Sequence, residues 1–319
     1  MTTPPIVRLR DRLLPAAVDG RVRVAAVASL IAEVLIIGTG AAVRLTGSGL
    51  GCPTWPRCTT QSFVTTPEMG AHGVIEFGNR LLTFALVVVA VLAVAAVWRL
   101  RRERRDLFAL ALVQLASIPA QAVLGGITVW TGLNPWVVAA HFVFSLLLVT
   151  LMTVFVHRTR TALGARVLAV PAPLAAVAAG AGAAAAVALL LGIVTTGSGP
   201  HAGDADAPRN GLSAVVLVQV HETAAWVLFA LTMVLVVAAT AKRLPLQRPA
   251  TLLLTVEALQ IAVGITQVAL DWNAGVVIVH VFLAACLTAA TANVLLHLRR
   301  PIADVLDEPA ERRTGATRA

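Results

Sequence analysis

The sequence predicts an all-α integral membrane protein, with eight transmembrane helices arranged as two parallel, pseudo-repeated four-helix bundles. Three observations carry this reading. Of the 319 residues, 58% are apolar and 13% are charged, against roughly a quarter charged in an ordinary soluble domain; the mean hydropathy is +0.85. Eight apolar runs reach the roughly 20 residues that a helix needs to cross a hydrocarbon core. Short polar motifs recur at fixed spacing in the two halves. The composition excludes a soluble enzyme of any common fold, and it excludes disorder, which requires low hydrophobicity. The net charge of +9 forms no patch of the kind nucleic acid would need, so the expected surroundings are a lipid bilayer.

The apolar runs fall at about 24–43, 79–98, 107–130, 137–157, 168–195, 213–240, 250–270 and 275–297. They are rich in Ala, Val and Leu, with no Tyr and no alternation at period 2, which favours helices over a barrel. Sorting the basic residues by loop puts 21 of 25 on the side of the two termini. The four on the other side are Arg44, Arg57, Arg80 and Arg209. The positive-inside rule then places both termini in the cytoplasm of a multi-pass protein of a bacterial cytoplasmic membrane. The first run has no clear cleavage site after it and has an internal twin, so it reads as a retained span rather than a signal peptide.

That twin is part of a repeat. Thr46-Gly47-Ser48-Gly49 after span 1 matches Thr196-Gly197-Ser198-Gly199 after span 5, an offset of 150. Gln121…Gly126-Ile127-Thr128 in span 3 echoes Gln260…Gly264-Ile265-Thr266 in span 7, and His141 in span 4 echoes His280 in span 8. Four spans per half make the repeat parallel, about an axis along the membrane normal. The expected organisation is a cytoplasmic tail (1–23), an N-terminal bundle (24–157), a linker (158–167), a C-terminal bundle (168–300) and a disordered tail (301–319).

Ionisable groups inside a bilayer cost about 2.5–3.5 kcal/mol on insertion scales, so each needs a reason. His157 and His297 fall at cytoplasmic helix ends and read as interfacial side chains reaching for water. His72 and His201 fall in outer loops. His141, His221 and His280 differ, each lying in the outer third of an even-numbered span among Val, Ala, Phe and Leu. Three buried imidazoles at matched depth, with no acidic cluster around them and Glu222 beside His221 as the one adjacent carboxylate, suit haem iron better than a hard cation. Stacked haems on His141/His157 and His280/His297 are disfavoured, because separations of 16 and 17 residues leave the partners about 160° and 100° apart around the helix.

Span 2 carries the counterpart of His221. Its entry, His72-Gly-Val-Ile-Glu76-Phe-Gly-Asn79-Arg80, places Glu76 and Asn79 on one face and lets Glu76 pair with Arg80 one turn on. Two readings stand: a helix-end ion pair with an interhelical amide, or a carboxylate that moves protons at the edge of a redox site. Glu33 and Glu257 read as interhelical hydrogen-bonding groups. The outer loop 44–75 holds Cys52-Pro-Thr-Trp-Pro-Arg-Cys58, and two cysteines in an oxidising compartment with five residues between them predict a disulfide. Cys286, alone in span 8, reads as a small packing residue.

These residues resemble a known family. Val43-Arg44-Leu45-Thr46-Gly47-Ser48-Gly49, then Cys52-Pro-x-Trp-Pro-x-Cys58, then Ile75-Glu76-x-x-x-Arg80, then single histidines in spans 4, 6 and 8, resemble haem A synthase from about residue 24 to 300. The resemblance implies oxidation of the C8 methyl of haem O to a formyl group, giving haem A for terminal oxidases. It implies a haem B cofactor between His221 and His280, substrate haem O in the N-terminal half with His141 as a ligand, a catalytic Glu76 and a Cys52–Cys58 disulfide. Arg44 and Arg80 become candidates for haem propionates. Haem O synthase and terminal-oxidase assembly factors become candidate partners, and a homo-oligomer is admitted. The family's Glu-x-x-His-Arg reads here with Asn79 in the fourth place. An amide is a poor iron ligand, so the substrate iron would rest on His141 with one side open, unless His72 substitutes from about 10 Å away. Two rivals remain: a b-type cytochrome that only passes electrons, and a secondary transporter built from parallel repeats, for which Pro119 in span 3 is the one helix breaker found.

Overall fold

A computed structural model describes residues 14–302. Eight helices are long and apolar enough to cross a membrane. They are α1 (Gly20–Leu45), α2 (Gly70–Val97), α3 (Arg105–Trp130), α4 (Pro135–Arg158), α5 (Ala172–Ser198), α6 (Ala214–Ala241), α7 (Gln247–Ala269) and α8 (Ala274–Leu296). Single 3₁₀ turns extend α2 at both ends, Pro67–Met69 and Trp98–Leu100. The expected spans are all present, and one boundary differs by more than four residues. Span 2 begins about nine residues earlier than the apolar run, so His72 lies in the first turn of α2 rather than in a loop. The cause is local. His72, Glu76, Asn79 and Arg80 interrupt the apolar pattern but find polar partners in the preceding loop, described below.

The helix ends are set by side chains. Asp19 caps α1, its Oδ1 accepting from the Arg21 and Val22 amides at 2.9 and 3.3 Å, which satisfies donors left free in a first turn. The α3–α4 and α7–α8 turns share one construction. Each has two residues at positive φ, Gly132-Leu133 and Asp271-Trp272. In each, the second residue's amide reaches back to a carbonyl, Thr128 at 2.8 Å and Gln267 at 2.7 Å. In each, an asparagine follows whose Oδ1 caps the next helix, Asn134 on the Trp136 amide and Asn273 on the Gly275 amide, both at 3.0 Å.

Within the first four helices α1 packs on α2 and α4, and α3 packs on α2 and α4. Within the last four, α5 packs on α6 and α8, and α7 packs on α6 and α8. Contacts of α8 with α1 and α4 join the two sets. Near the face that bears the chain ends, Val22, Ala26, Ala93, Val97, Leu107, Ala111, Met152 and Phe155 form a fully buried apolar layer. Ile37, Leu146, Val149 and Ala285 fill the seam between α1, α4 and α8. Alanines recur throughout these layers, and small side chains allow close helix approach where lipid removes the hydrophobic drive between helices. Large apolar side chains such as Leu35, Phe84, Leu147, Val237 and Ile265 face outward, as a lipid-facing surface requires.

One element was not expected. Arg166–Leu168 pairs antiparallel with Arg299–Pro301, forming a two-stranded ribbon (β1, β2) at the same face. The linker expected at 158–167 and the C-terminal bundle boundary at 300 both run into this ribbon. Most of the expected tail lies outside the described residues, as do residues 1–13.

Candidate functional site

His221 on α6 and His280 on α8 approach one another edge to face, their ring centroids 6.3 Å apart. The Nδ1 atom of His221 is 2.9 Å from the Ala188 carbonyl on α5. A carbonyl only accepts, so Nδ1 carries the proton and Nε2 keeps its lone pair free for a metal. A metal–imidazole nitrogen bond is about 2.0–2.1 Å and the ring centre lies about 1.1 Å beyond the nitrogen, so two rings on opposite sides of one metal have centres about 6.3 Å apart. The observed spacing leaves room for one metal between the rings, so His221 and His280 could hold a haem iron between them.

Each of the three deep histidines rests on a glycine of the preceding helix. A Cβ placed on Gly192 would lie 3.0 Å from Cε1 of His221, one on Gly264 would lie 3.4 Å from Cε1 of His280, and one on Gly125 would lie 3.5 Å from Cε1 of His141. Bare backbone lets the ring lie closer to the helix than any side chain would allow. Gln260 on α7 donates to the His280 carbonyl at 3.1 Å. Gln121 on α3 donates to Ser145 Oγ at 2.7 Å, and its amide also reaches the His141 carbonyl at 3.5 Å. His141 stands on α4 without a facing imidazole. The position opposite, by sequence correspondence, is Asn79, whose Oδ1 is buried and has no hydrogen-bond partner.

Beside this second location the Cys52–Cys58 disulfide is formed, and its loop is tied to α2 by the Glu76–Arg80 pair. Glu76 Oε2 accepts from the Cys52 amide at 2.6 Å, and Oε1 accepts from Arg80 Nη2 at 2.5 Å. Arg80 also donates to the carbonyls of Cys52, Thr54 and Arg57 at 3.2–3.3 Å. Both readings of Glu76 meet here. It is an ion pair at the helix entry, and it is a buried carboxylate one turn from Asn79.

The loop carries a residue that sequence reasoning passed over. Trp55 lies against Gly126, so closely that a Cβ there would overlap the indole. It packs edge-on to Trp130 with centroids 5.3 Å apart, and Trp130 Nε1 donates to the Trp55 carbonyl at 3.1 Å. Gly125 seats His141 and the adjacent Gly126 seats Trp55, so the disulfide loop reaches down to the helix on which His141 rests. The paired glycines in an apolar span, together with a tryptophan between two prolines, were the available signal.

Arg44 on α1 donates to the carbonyls of His201 and Thr196 at 3.0 and 3.3 Å, linking the loop faces of the two halves. His201 is half-buried rather than free in solvent, with Nε2 2.7 Å from the Trp272 carbonyl. His72 has Nδ1 2.9 Å from Ser48 Oγ. His157 is buried, not reaching for water, and packs edge-on to His297 with centroids 5.1 Å apart. Glu257 accepts from Thr232 at 2.8 Å, as an interhelical group should. Among the described residues no cluster of three or more His, Cys, Asp or Glu could hold a bare metal ion, and Cys286 is free.

Against known proteins, the sequence model of the cytochrome oxidase assembly protein family matches residues 23–292, nearly all of the described chain. The chain belongs to the haem A synthase family of cytochrome oxidase assembly proteins. Among curated relatives it is 31% identical over 139 residues to the haem A synthase of Geobacillus kaustophilus, covering 42% of each chain. It is 33% identical over 127 residues to that of Listeria welshimeri, covering 39% of this chain and 41% of the relative. It is 29% identical over 126 residues to that of Geobacillus thermodenitrificans, covering 40% and 39%. The aligned stretch thus spans about two fifths of the curated relatives it matches.

Proposed function

We propose that this protein is a haem A synthase that oxidises the C8 methyl of haem O to a formyl group. The observation that carries the reading is the 6.3 Å spacing of the His221 and His280 rings, which suits one haem B iron in the second half of the chain. Family membership supplies the chemical direction. A haem B bound there supplies reversible one-electron transfer. The protein's part is to hold both ligands rigid: Ala188 fixes the tautomer of His221, Gln260 anchors the main chain at His280, and Gly192 and Gly264 let both rings seat on backbone.

Substrate haem O belongs in the first half, its iron on His141. The methyl-to-formyl change is a four-electron oxidation that adds one oxygen atom. As two successive hydroxylations, each would consume an external oxidant, such as dioxygen with two electrons and two protons (releasing water), and the hydrated aldehyde then loses water. Glu76 handles protons at this edge. Both its oxygens are engaged, so taking up a proton loosens its hold on the Cys52 amide or on Arg80, coupling proton movement to the loop. Arg44 and Arg80 lie toward the loop face, where haem propionates would pair with them. Each guanidinium already serves main-chain carbonyls, so propionates would compete for those donors. The excess of basic residues on the side of the chain ends supports cytoplasmic termini and a site opening on the opposite face.

The deciding experiment is co-expression with a source of haem O, followed by pigment extraction. A formyl-bearing haem in the extract is expected. A purified protein that binds haem B but yields only unchanged haem O would favour the electron-transfer cytochrome, and one with no haem absorbance would favour a transporter.

A further inference from the structure

The first half buries a carboxyl group that neither the histidines nor the Glu76 clamp uses. Glu33 on α1 and Gln114 on α3 are 3% and 0% exposed. Both helices pack on α2 and α4, so the two residues meet across the diagonal of the bundle, and the Glu33 carboxyl stands opposite the Gln114 amide. Ser29 lies one turn from Glu33 on the same face of α1 and is fully buried. Yet Oε1 of Glu33, both side-chain polar atoms of Gln114 and Oγ of Ser29 have no direct hydrogen-bond partner. Unpaired polar atoms gathered in a bundle interior are what buried waters satisfy, each water making about three hydrogen bonds.

The cluster is closed toward the chain ends, where Val22, Ala26, Ala111, Met152 and Phe155 are fully buried and apolar. It continues the other way. Gln114, Ser117, Gln121 and Gly125 fall on one face of α3 over about 16 Å of its axis, and Gly125 is the seat of His141. Gln121 donates to Ser145 Oγ at 2.7 Å, while its own Oε1 and the Nδ1 of His141 are buried without partners. The second half does not repeat this line. The buried Ala26, Ser29 and Glu33 of α1 return with the same spacing in α5 as Ala178, Ala181 and Ala185. Ala111 and Gln114 of α3 return in α7 as Ala250 and Leu253. The deep carboxyl of that half, Glu257, has one oxygen taken by Thr232 at 2.8 Å and only the other unpartnered.

We propose that Ser29, Glu33 and Gln114 hold a buried water cluster, and that Glu33 is a proton store serving the His141 half along the Ser117–Gln121 face of α3. The step balances without any electron moving. The carboxyl O–H gives its proton to a neighbouring water, and the excess proton passes along the hydrogen-bonded line toward His141. The carboxylate then recovers a proton by the same line from the outer face, the inner side being sealed. This rests on the proposed oxidation, in which each hydroxylation with dioxygen takes up two protons.

The test is infrared spectroscopy of the purified full-length protein in light and heavy water, together with conversion of haem O. Wild-type protein is expected to show a carboxyl C=O band that shifts in heavy water and disappears in Glu33→Gln. Glu33→Gln should lower conversion by about 100-fold, the lower range for a positioned proton donor, while the low-spin haem signal of His221 and His280 reports an intact fold. Ser29→Ala with Gln114→Leu keeps the carboxyl and removes the partners of its water, so the band should persist, exchange more slowly and be accompanied by slower conversion. No band that depends on Glu33, a wild-type band that heavy water leaves in place, or conversion by Glu33→Gln at the wild-type rate overturns the proposal. Wild-type protein that shows the exchanging band but converts no haem O overturns the functional reading instead, and supports the water site.

Discussion

His221 and His280 come from different helices and meet with ring centroids 6.3 Å apart, each lying on a glycine that leaves its helix backbone bare. The pair is prearranged by packing on both sides, so small changes under either ring should be felt at a metal between them.

Alanine at the three seating glycines should therefore reduce haem retention in a graded way. Gly192→Ala places a Cβ 3.0 Å from His221, while Gly264→Ala and Gly125→Ala bring theirs to 3.4 and 3.5 Å from the respective rings. The first should weaken haem binding by about 10–100-fold, the range for disturbed supports of metal ligands. The other two should do less. Haem-to-protein ratio after purification measures this, and an equal loss at all three sites would contradict it.

Replacing Glu76 by Ala removes the acceptor of both the Cys52 amide and Arg80. Arg80 keeps its carbonyl acceptors, but leaving the buried Cys52 amide without a partner costs about 1–3 kcal/mol. Conversion of haem O should stop while the low-spin haem on His221 and His280 persists, and the 52–58 loop should become more sensitive to protease. Glu76→Gln keeps an acceptor for the Cys52 amide and should restore protease resistance without restoring conversion. Undiminished conversion in Glu76→Ala would remove its catalytic role.

The disulfide shares its task with that clamp. Arg80 holds three carbonyls of the same loop, so Cys52→Ser together with Cys58→Ser should lower turnover less than Glu76→Ala does. A larger loss than in Glu76→Ala, with the loop still protease-resistant, would point to redox use of the cysteines.

Trp55 on Gly126 offers a separate handle. Trp55→Ala empties the space beside the helix on which His141 rests, and Gly126→Ala drives a methyl into the indole. Because Trp55 is half-buried, its removal should cost less than the about 3–5 kcal/mol of a core tryptophan. Thermal unfolding of the detergent-solubilised protein measures the cost. Both variants should impair conversion while sparing the His221–His280 spectrum.

At the opposite face, Asp19 governs the start of α1. Its slight burial works against ionisation, but hydrogen bonds from the Arg21 side chain and from the Val22 and Arg21 amides outweigh it and hold the carboxyl below its ordinary value. A lowered folded value means the contribution is present at neutral pH and lost as pH falls through the acid range. Asp19→Ala should cost about 1 kcal/mol at pH 7 and less at pH 3, compared by unfolding at the two pH values.

The membrane architecture was legible because a spanning helix needs a long apolar run and little else. The three deep histidines were legible as candidates because ionisable groups among Val and Leu stand out. The start of α2 was not, since His72, Glu76 and Arg80 look like loop residues until Ser48 and the Cys52–Arg57 main chain provide partners, and those partners are 23 to 28 residues away in sequence. Trp55 was missed for the same reason, its seat on Gly126 being a long-range contact. The β1–β2 ribbon is three residues long on each side and has no alternation to betray it. His157 was misjudged because helix-end position says nothing of a neighbour on another helix, here His297.

That ribbon has a further implication. Both of its strands belong to the second half, Arg166–Leu168 just ahead of α5 and Arg299–Pro301 just after α8, so it knots the beginning of that half to its end. Thr159 and Thr161 are bonded back to α4 and the Ala165 carbonyl accepts from the Ile302 amide, so residues 162–164 are the tether between α4 and this ribbon. Severing the chain inside that tether and producing the pieces as separate polypeptides in one cell should yield a two-part protein, reunited through α8 against α1 and α4, with its pigment intact.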